Sequence, residues 1–589
     1  MQRTLLILVL LGLRLSSTFA GDIPVYRKYQ WDKAGATTTD ITNWPIVNMG
    51  QFGCDASGTH SNNDALEKAI EALGETGGII QFKGGEYLFT KSIHIPSNIV
   101  LKGNGASTDL VFDLEEEGHA IRFTGAVSKN VLQLTENGTK GLNYIEIANG
   151  QEIEAGDFLK IVVANSELAF SDWARNSIGQ IVQIKQIEGN RAYLHETLRL
   201  NVPLETALVT QIIPVKNAGV QCLAISRRDQ DEALTSTIQF ENAMQCFVRN
   251  IRSSYSNFAH VEISKSSHIT VEGCQFQKAH QYGEGGQGYG VVLQYTSGDN
   301  LIQNNIFEEL RHAVLLQAGA NGNVVAYNFS IFPNWDQPGF PSDAAGDIVL
   351  HGNYPFANLF EGNVVQNIVA DNSHGKNGYH NTFYKNEIDL YGLFANPGAI
   401  DSLNLVGNNI TNRLFLKGNY IIYGEGHYEN YNLVKDDLKP RNSSSLSETS
   451  LFLSEMPTFI TNSSGKKDGS RIEAENRYYA KSPVLCGSYT PHNEDEREKD
   501  KNETEDTKTT SVGDLEPESW SVFPNPATNN IQIEGTIPDQ IILTQLNGST
   551  VYHSEGSTTL SVGHLPRGMY LLKIRDQEGR SAYKKLLLN

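Results

Sequence analysis

Along the middle of this 589-residue chain, apolar and polar residues repeat one short signature. An apolar pair is followed, after two or three residues, by Asn and then another apolar residue. The copies are FVRNI (Asn250), TVEGCQF (Cys274 in the Asn slot), LIQNNIF (Asn305), VVAYNF (Asn328), LFEGNVV (Asn363), TFYKNEI (Asn386) and LNLVGNNI (Asn408). Successive slots lie 24, 31, 23, 35, 23 and 22 residues apart. Short apolar runs closed by Gly and Asn corners, at a period in the low twenties, predict the stacked turns of a solenoid. Leu-rich repeats share that period, but their Leu-x-x-Leu-x-Leu pattern is missing. The pattern therefore predicts an all-β chain, a right-handed parallel β-helix from about residue 77 to 424. Turns stacked about 4.8 Å apart bring equivalent side chains together, so the repeated Asn predicts a hydrogen-bonded ladder.

The pattern changes in three places. Ala65, Leu66, Ala69, Ile70 and Leu73 form one helical stripe, opened by a capping box at Ser61-x-x-Asp64 and closed by Gly77-Gly78. This helix is expected to cover the open end of the solenoid core. From about 125 to 213 the rhythm stops, and two hairpin patterns predict a small inserted β subdomain. Its segment Glu167–Gln180, read as a loop, carries Trp173 and Arg175, and Trp173 is readable either as a sugar-stacking residue or as subdomain core. Residues 488–519 are charged and almost free of large apolar residues, which predicts a disordered linker. Beyond them, alternating apolar positions and an Asn-Gly turn at 547–548 predict a small antiparallel sandwich.

Two blocks carry family resemblances. Residues 50–105, with FGCDASGT at 52–59, NDALEKAI at 63–70 and GGIIQFKGGEYLFTKSIHIPSNIVLKGNG after them, resemble the N-terminal cap of pectate-lyase-like β-helix proteins, polygalacturonase-related ones included. That resemblance implies a fold and a polysaccharide partner, and says little about activity. Residues 521–589, with Val522-Phe523-Pro524-Asn525-Pro526, the strand LPRGMYLLKI and a basic last strand, resemble the C-terminal sorting domain of the type IX secretion system of Bacteroidetes. This implies the type IX machinery as a partner and a secreted or surface location reached through the periplasm. Arg3, the apolar run Leu5–Leu13 and Thr18-Phe19-Ala20 read as a secretory signal cleaved after Ala20. The expected organisation is a signal over 1–20, a β-helix domain over 21–487 with its insertion, a linker over 488–519, and a sorting domain over 520–589.

A net charge of −20 argues against nucleic acid as a partner, and no apolar run is long enough to span a membrane. A monomer is expected. Five cysteines without a CxxC pair read mostly as buried apolar residues, with a Cys246–Cys274 or Cys222–Cys246 bridge open. The cofactor is unknown. Lyases of the resembled fold hold calcium between stacked Asp and Glu, but the rungs show no dense acidic cluster, and Asp229, Asp231 and Glu232 read as a solvated loop.

Counting back from the Asn slots exposes a second column: Gln294, Gln317, His351 and His374, at 11, 11, 12 and 12 residues before the next slot. Two adjacent imidazoles resist double protonation, so one is expected to be neutral and able to act as a base. Candidate catalytic residues are His351 and His374 as bases, Arg311 or Lys376 to neutralise a substrate carboxylate, and Tyr354 to protonate the leaving oxygen. Gln294, Gln317, His312, Asp347 and Asp371 are candidate substrate contacts. So are Tyr289 and Trp335, which stand on the two long loops that interrupt the period. These residues predict a lyase that cleaves an acidic polysaccharide by β-elimination. The alternatives are a glycoside hydrolase using Asp347 and Asp371, although the polygalacturonase motifs are absent, or a non-catalytic glycan-binding surface protein.

Overall fold

The computed structural model describes residues 22–37, 41–148, 152–164, 167–231, 233–283, 286–334, 346–414, 416–455, 472–481, 486 and most of 520–588. The expected signal, the linker and Trp335 lie outside these residues. The chain divides into two compact units, the second comprising the C-terminal strands.

The first unit is a parallel β-helix. One sheet stacks twelve strands in parallel, from Ile46–Asn48 through Leu301–Gln303 and Val324–Ala326 to Tyr428–Asn430. The other strands of each turn form a second, longer sheet that bends round the remaining sides. A typical turn contains Leu301–Gln303, Ile306–Glu308 and His312–Leu316. Inward residues such as Ile302, Phe307, Val314 and Leu316 join one continuous core. Stacked pairs Phe360–Phe383 and Phe123–Phe240, with ring centroids 4.7 and 4.6 Å apart, repeat down it.

The Asn ladder is present. Asn305, Asn328, Asn363, Asn386 and Asn408 each pass a side-chain amide to the oxygen of the next, ending at Asn432, at 2.9–3.0 Å. Cys274 heads the column, donating its backbone N–H to Asn305. Asn250 does not belong to it. The backbone of Ile251 occupies the slot, and Asn250 stands one place earlier with Gly273, Asn304 and Gly362, where the chain takes φ values of 51 to 67°. A second ladder, Asn300–Asn323–Asn358–Asn381, runs down the other end of the first-sheet strands. The motif Asn-x-x-x-x-Asn in NLIQNN, NVVAYN, NLFEGN and NTFYKN encodes both columns.

Helix Asn63–Leu73 buries Ala65, Leu66, Ala69 and Leu73 against the first turns. Its N-cap is Asn62 without a side-chain cap bond, and Ser61 donates instead to Asn63, so the expected capping box does not form. Between Ala126 and Ile213 an antiparallel six-stranded sheet packs on its own core, which includes Leu159, Ile161, Val182 and Leu194. Buried Arg199 ties this insertion to the turns through Asp299 and Asn321. Thr296 adds a bond to the carbonyl of Ser177 at 2.6 Å.

One disulfide joins Cys222 to Cys486, 264 residues apart, while Cys54, Cys246 and Cys274 are free. Neither expected bridge occurs, because Cys246 and Cys274 point into the core and each donates its thiol to a backbone carbonyl. The second unit contains a three-stranded and a four-stranded antiparallel sheet around Ile531, Leu543, Tyr570, Leu572 and Leu586. No helix among the described residues is long and apolar enough to cross a membrane.

Candidate functional site

The second sheet presents alternate residues of each turn on its outer face. Ser264 pairs with Gln294, and the Gln317 amide donates to the Gln294 oxygen at 2.7 Å. Register then sets His351 after Gln317, and Asp371 after His351. His374 is therefore not in the column. Strand Val364–Ala370 contains a register shift between Val365 and Asn367, and two residues, Asn372 and Ser373, separate Asp371 from His374. The equal offset from the Asn slots is thus a coincidence of two turns of different length. The turn nevertheless folds back and brings the His374 ring edge-on to His351, 4.9 Å between centroids.

His351 Nδ1 meets Asp371 Oδ2 at 2.7 Å, and His351 Nε2 has no hydrogen bond within the described residues. A carboxylate on Nδ1 requires a proton there, so the neutral ring offers its lone pair at Nε2. Burial pushes the Asp371 carboxyl up, but His351 and the N–H of Ser373 outweigh it and hold it below the usual range. Burial, then the neighbouring His351 charge, pushes His374 down. Buried His312, 6.2 Å from His351 by ring centroids, is pushed down to about 3 by burial, His351 and Arg311, and its Nδ1 bonds the carbonyl of Gly346.

The other expected residues divide. Arg311 stays on this side, with its guanidinium on the carbonyl of Gly283 at 2.5 Å. Tyr289 packs on His312 at 4.9 Å but is only 3% exposed, and Gln294 joins Gln317 to the buried carboxylate of Glu262. Asp347 is 1% exposed and spends both oxygens on Ser330 and the N–H groups of Gln366 and Asn367, so no substrate reaches it. Lys376 is paired with Asp401 at 2.5 Å. Tyr354 packs on Phe356 and Tyr379, and its ring touches neither histidine.

Two regions complete the arc beside His351. From the insertion, Trp173 stands edge-on to both His374 and Tyr295, at 5.3 and 5.8 Å. Ser171 Oγ lies 3.4 Å from His374 Nδ1. From the turns, Lys265 lies 5.8 Å over the Tyr295 ring, and its field, after burial, helps push Lys160 down to about 8. Lys265 and Tyr295 immediately follow column residues Ser264 and Gln294 at positive φ, a position in which the sequence reading sought no side chains. Trp173, 42% exposed, does not take the core position that is one of its two readings. Among the described residues no cluster of three or more His, Cys, Asp or Glu is arranged to hold a metal ion.

With this geometry in place, comparisons with known proteins bear on the class. Residues 46–148 match the family described as rhamnogalacturonase A/epimerase, pectate lyase-like. Residues 521–589 match the secretion system C-terminal sorting domain. Among solved structures, the tailspike protein of Pseudomonas phage LKA1 is similar over 65% of this chain and 81% of its own, at 14% identity and a TM-score of 0.49. An exopolygalacturonase from Thermotoga maritima is similar over 64% and 82%, at 12% identity and 0.35. The A-module of a mannuronan C-5 epimerase from Azotobacter vinelandii is similar over 66% and 88%, at 11% and 0.30. No curated protein matches the chain. The molecule has a parallel β-helix whose residues 46–148 match a pectate-lyase-like family, followed by a sorting domain. That domain marks it for export by type IX secretion to the cell surface or the medium.

Proposed function

We propose that the protein is a secreted enzyme that cleaves an acidic polysaccharide by β-elimination, with His351 as the base. The observation that carries this reading is the His351–Asp371 pair, which orients one imidazole and leaves its Nε2 without a hydrogen bond among the described residues, with His374 against that ring and Trp173 against His374. Asp371 sets the tautomer and favours the imidazolium once it forms. Arg311 neutralises the uronate carboxylate, which makes the proton at C5 acidic. That proton passes to His351 Nε2. The C5–H electron pair becomes a C4–C5 double bond, and the C4–oxygen bond breaks with its electrons on oxygen. The imidazolium returns the proton to that oxygen. Trp173 and Tyr295 supply rings for neighbouring sugars. The burial of Asp347 removes the paired-carboxylate geometry on which the hydrolase alternative rested.

The test is a panel of pectate, alginate and sulfated glycans, read both for the ultraviolet absorbance of the new double bond and for reducing ends. A lyase produces both. On the best substrate, His351→Ala and Asp371→Asn are expected to lose about 10²–10⁴-fold in turnover with unchanged thermal melts. Reducing ends without absorbance, or near-wild-type turnover in both variants, overturns the proposal.

A further inference from the structure

A second cluster, with no ring contact or hydrogen bond to His351 among the described residues, forms where three separate stretches of chain converge. The segment Val25–Lys33 contributes Tyr26 and Tyr29, the insertion contributes Lys140, and the turns contribute Tyr354, Tyr379 and His380. The Lys140 ammonium lies 4.1 Å above the Tyr379 ring and 5.4 Å from that of Tyr29. It donates to Tyr29 Oη at 3.1 Å, and that oxygen is 2.8 Å from His380 Nδ1. Lys140 pairs with no carboxylate among the described residues, in a chain of net charge −20.

The proton order follows from these contacts. Lys140 donates to the Tyr29 oxygen, so the phenol proton points to His380 Nδ1. Burial, then the charges of Lys140 and Arg27, push His380 down to about 4, so its ring is neutral at pH 7 and accepts that proton. The remaining proton of the neutral ring sits on Nε2. The cluster therefore offers further N–H donors on Lys140, beside the buried ring of His380, and among the described residues no acid occupies them. Around them stand aromatic faces: Lys140, Tyr29, Tyr354 and Tyr379 are half-buried, and Tyr26, 67% exposed, stands edge-on to His380.

We propose that this cluster is a second carbohydrate-binding site, which holds one acidic sugar residue with its anionic group on Lys140 and its ring against the tyrosines. Unpaired cations select anions, and aromatic faces cover the apolar side of a pyranose. The site is separate from the His351 groove and requires no chemistry there. It gives the protein a hold on a polyanionic chain at a place that does not cut it. Because the insertion and the N-terminal segment each supply a necessary part, the site belongs to these additions to the solenoid rather than to its repeat.

The test uses the full chain with lysine ¹³C-labelled at Cε during expression, which leaves every ammonium proton in place. The Lys140 resonance is the one missing from Lys140→Arg. Sodium galacturonate and glucose 6-sulfate serve as probes, distinguishing a carboxylate from a sulfate ester, with galactose and sodium acetate as controls. At least one acidic sugar is expected to shift the Lys140 signal saturably, and neither control to do so at equal concentration. Tyr26→Ala, at an exposed position, is expected to weaken that binding about 3- to 10-fold. His351→Ala keeps the shift, which separates this site from the proposed lyase centre. No saturable shift with either acidic sugar, or the same shift with galactose or acetate, overturns the proposal. Abolition of the shift in His351→Ala overturns it too, because the sugar then sits in the other groove.

Discussion

Replacing Asn363 by Ala breaks the ladder at its middle. The Asn363 side chain donates to the carbonyl of Val325 and to Asn386 Oδ1, both at 2.9 Å, and its own oxygen accepts the backbone and side-chain N–H groups of Asn328 at 3.1 and 2.9 Å. Asn386 Oδ1 retains a bond from the Asn363 backbone, at 3.1 Å, after the change. Two partners do not: the backbone and side-chain N–H groups of Asn328, in a column with no solvent exposure at Asn363; the Val325 carbonyl keeps its backbone bond within the parallel sheet. Each buried polar group left unsatisfied costs about 1–3 kcal/mol. Partial relaxation of a turn that keeps its backbone pairing brings the expected total to about 3 kcal/mol, toward the low end of two such terms. The assay is urea unfolding followed by far-ultraviolet circular dichroism, with the slope checked because solenoids need not unfold in one step. Asn372→Ala, at an exposed turn position, is the control and is expected to stay within about 0.5 kcal/mol of wild type. Asn363→Ala and Asn386→Ala share a bond, so the double variant should cost less than the two singles added. A loss below about 1 kcal/mol for Asn363→Ala would refute the view that the ladder, rather than the apolar core alone, holds the turns in register.

Two further outcomes follow from buried groups. Burial pushes the Asp347 carboxyl from 3.8 up to about 6, so folding prefers its protonated form; that stability is complete below the unfolded value and is lost as pH rises through about 6. Asp347→Asn keeps the shape and removes this dependence, so its stability relative to wild type should rise by about 3 kcal/mol between pH 3 and pH 8; a difference that stays flat with pH, measured by urea midpoints, contradicts the buried carboxyl. Burial also pushes the Cys246 and Cys274 thiols up to about 12, so iodoacetamide should leave both unlabelled in the folded protein and label them, with Cys54, after unfolding without reductant. Peptide mapping should recover Cys222 linked to Cys486, and a Cys246–Cys274 peptide would overturn the assignment.

The solenoid was legible where one physical cause produced one residue preference, and obscure where two causes produced the same one. Asn305, Asn328, Asn363 and Asn386 were found because a ladder needs an amide at each level. Asn250 was placed with them wrongly because Asn also suits the left-handed turn position next door, shared here with Asn304. Counting from the Asn slots located Gln294, Gln317 and His351, since those turns keep their length. It failed at Asp371, where the following turn is longer, and counting cannot detect a bulge. Lys376 and Tyr354 were grouped with the histidines by nearness in sequence, yet successive residues of a turn face different ways. One therefore meets Asp401 and the other Tyr379.

The rest depends on contacts that no period encodes. Trp173 reaches His374 across a sequence separation of 201, Lys140 reaches Tyr29 across one of 111, and Cys222 finds Cys486 at 264. In each case a departure from the repeat, an insertion, a leading segment or a tail, lies back on the regular turns. Repetition makes every level of the β-helix alike, so repetition alone cannot make one level a site. His351 and Asp371 become distinct from Gln294 and Gln317 in the same column through a change of residue type at two levels, and through an insertion that brings Trp173 and Ser171 to their side. The same logic applies to Lys140 and the tyrosines, and it explains why both candidate sites border the inserted sheet. Removing Trp173 should therefore impair polysaccharide turnover while the ladders, which do not touch the insertion loop, keep the fold.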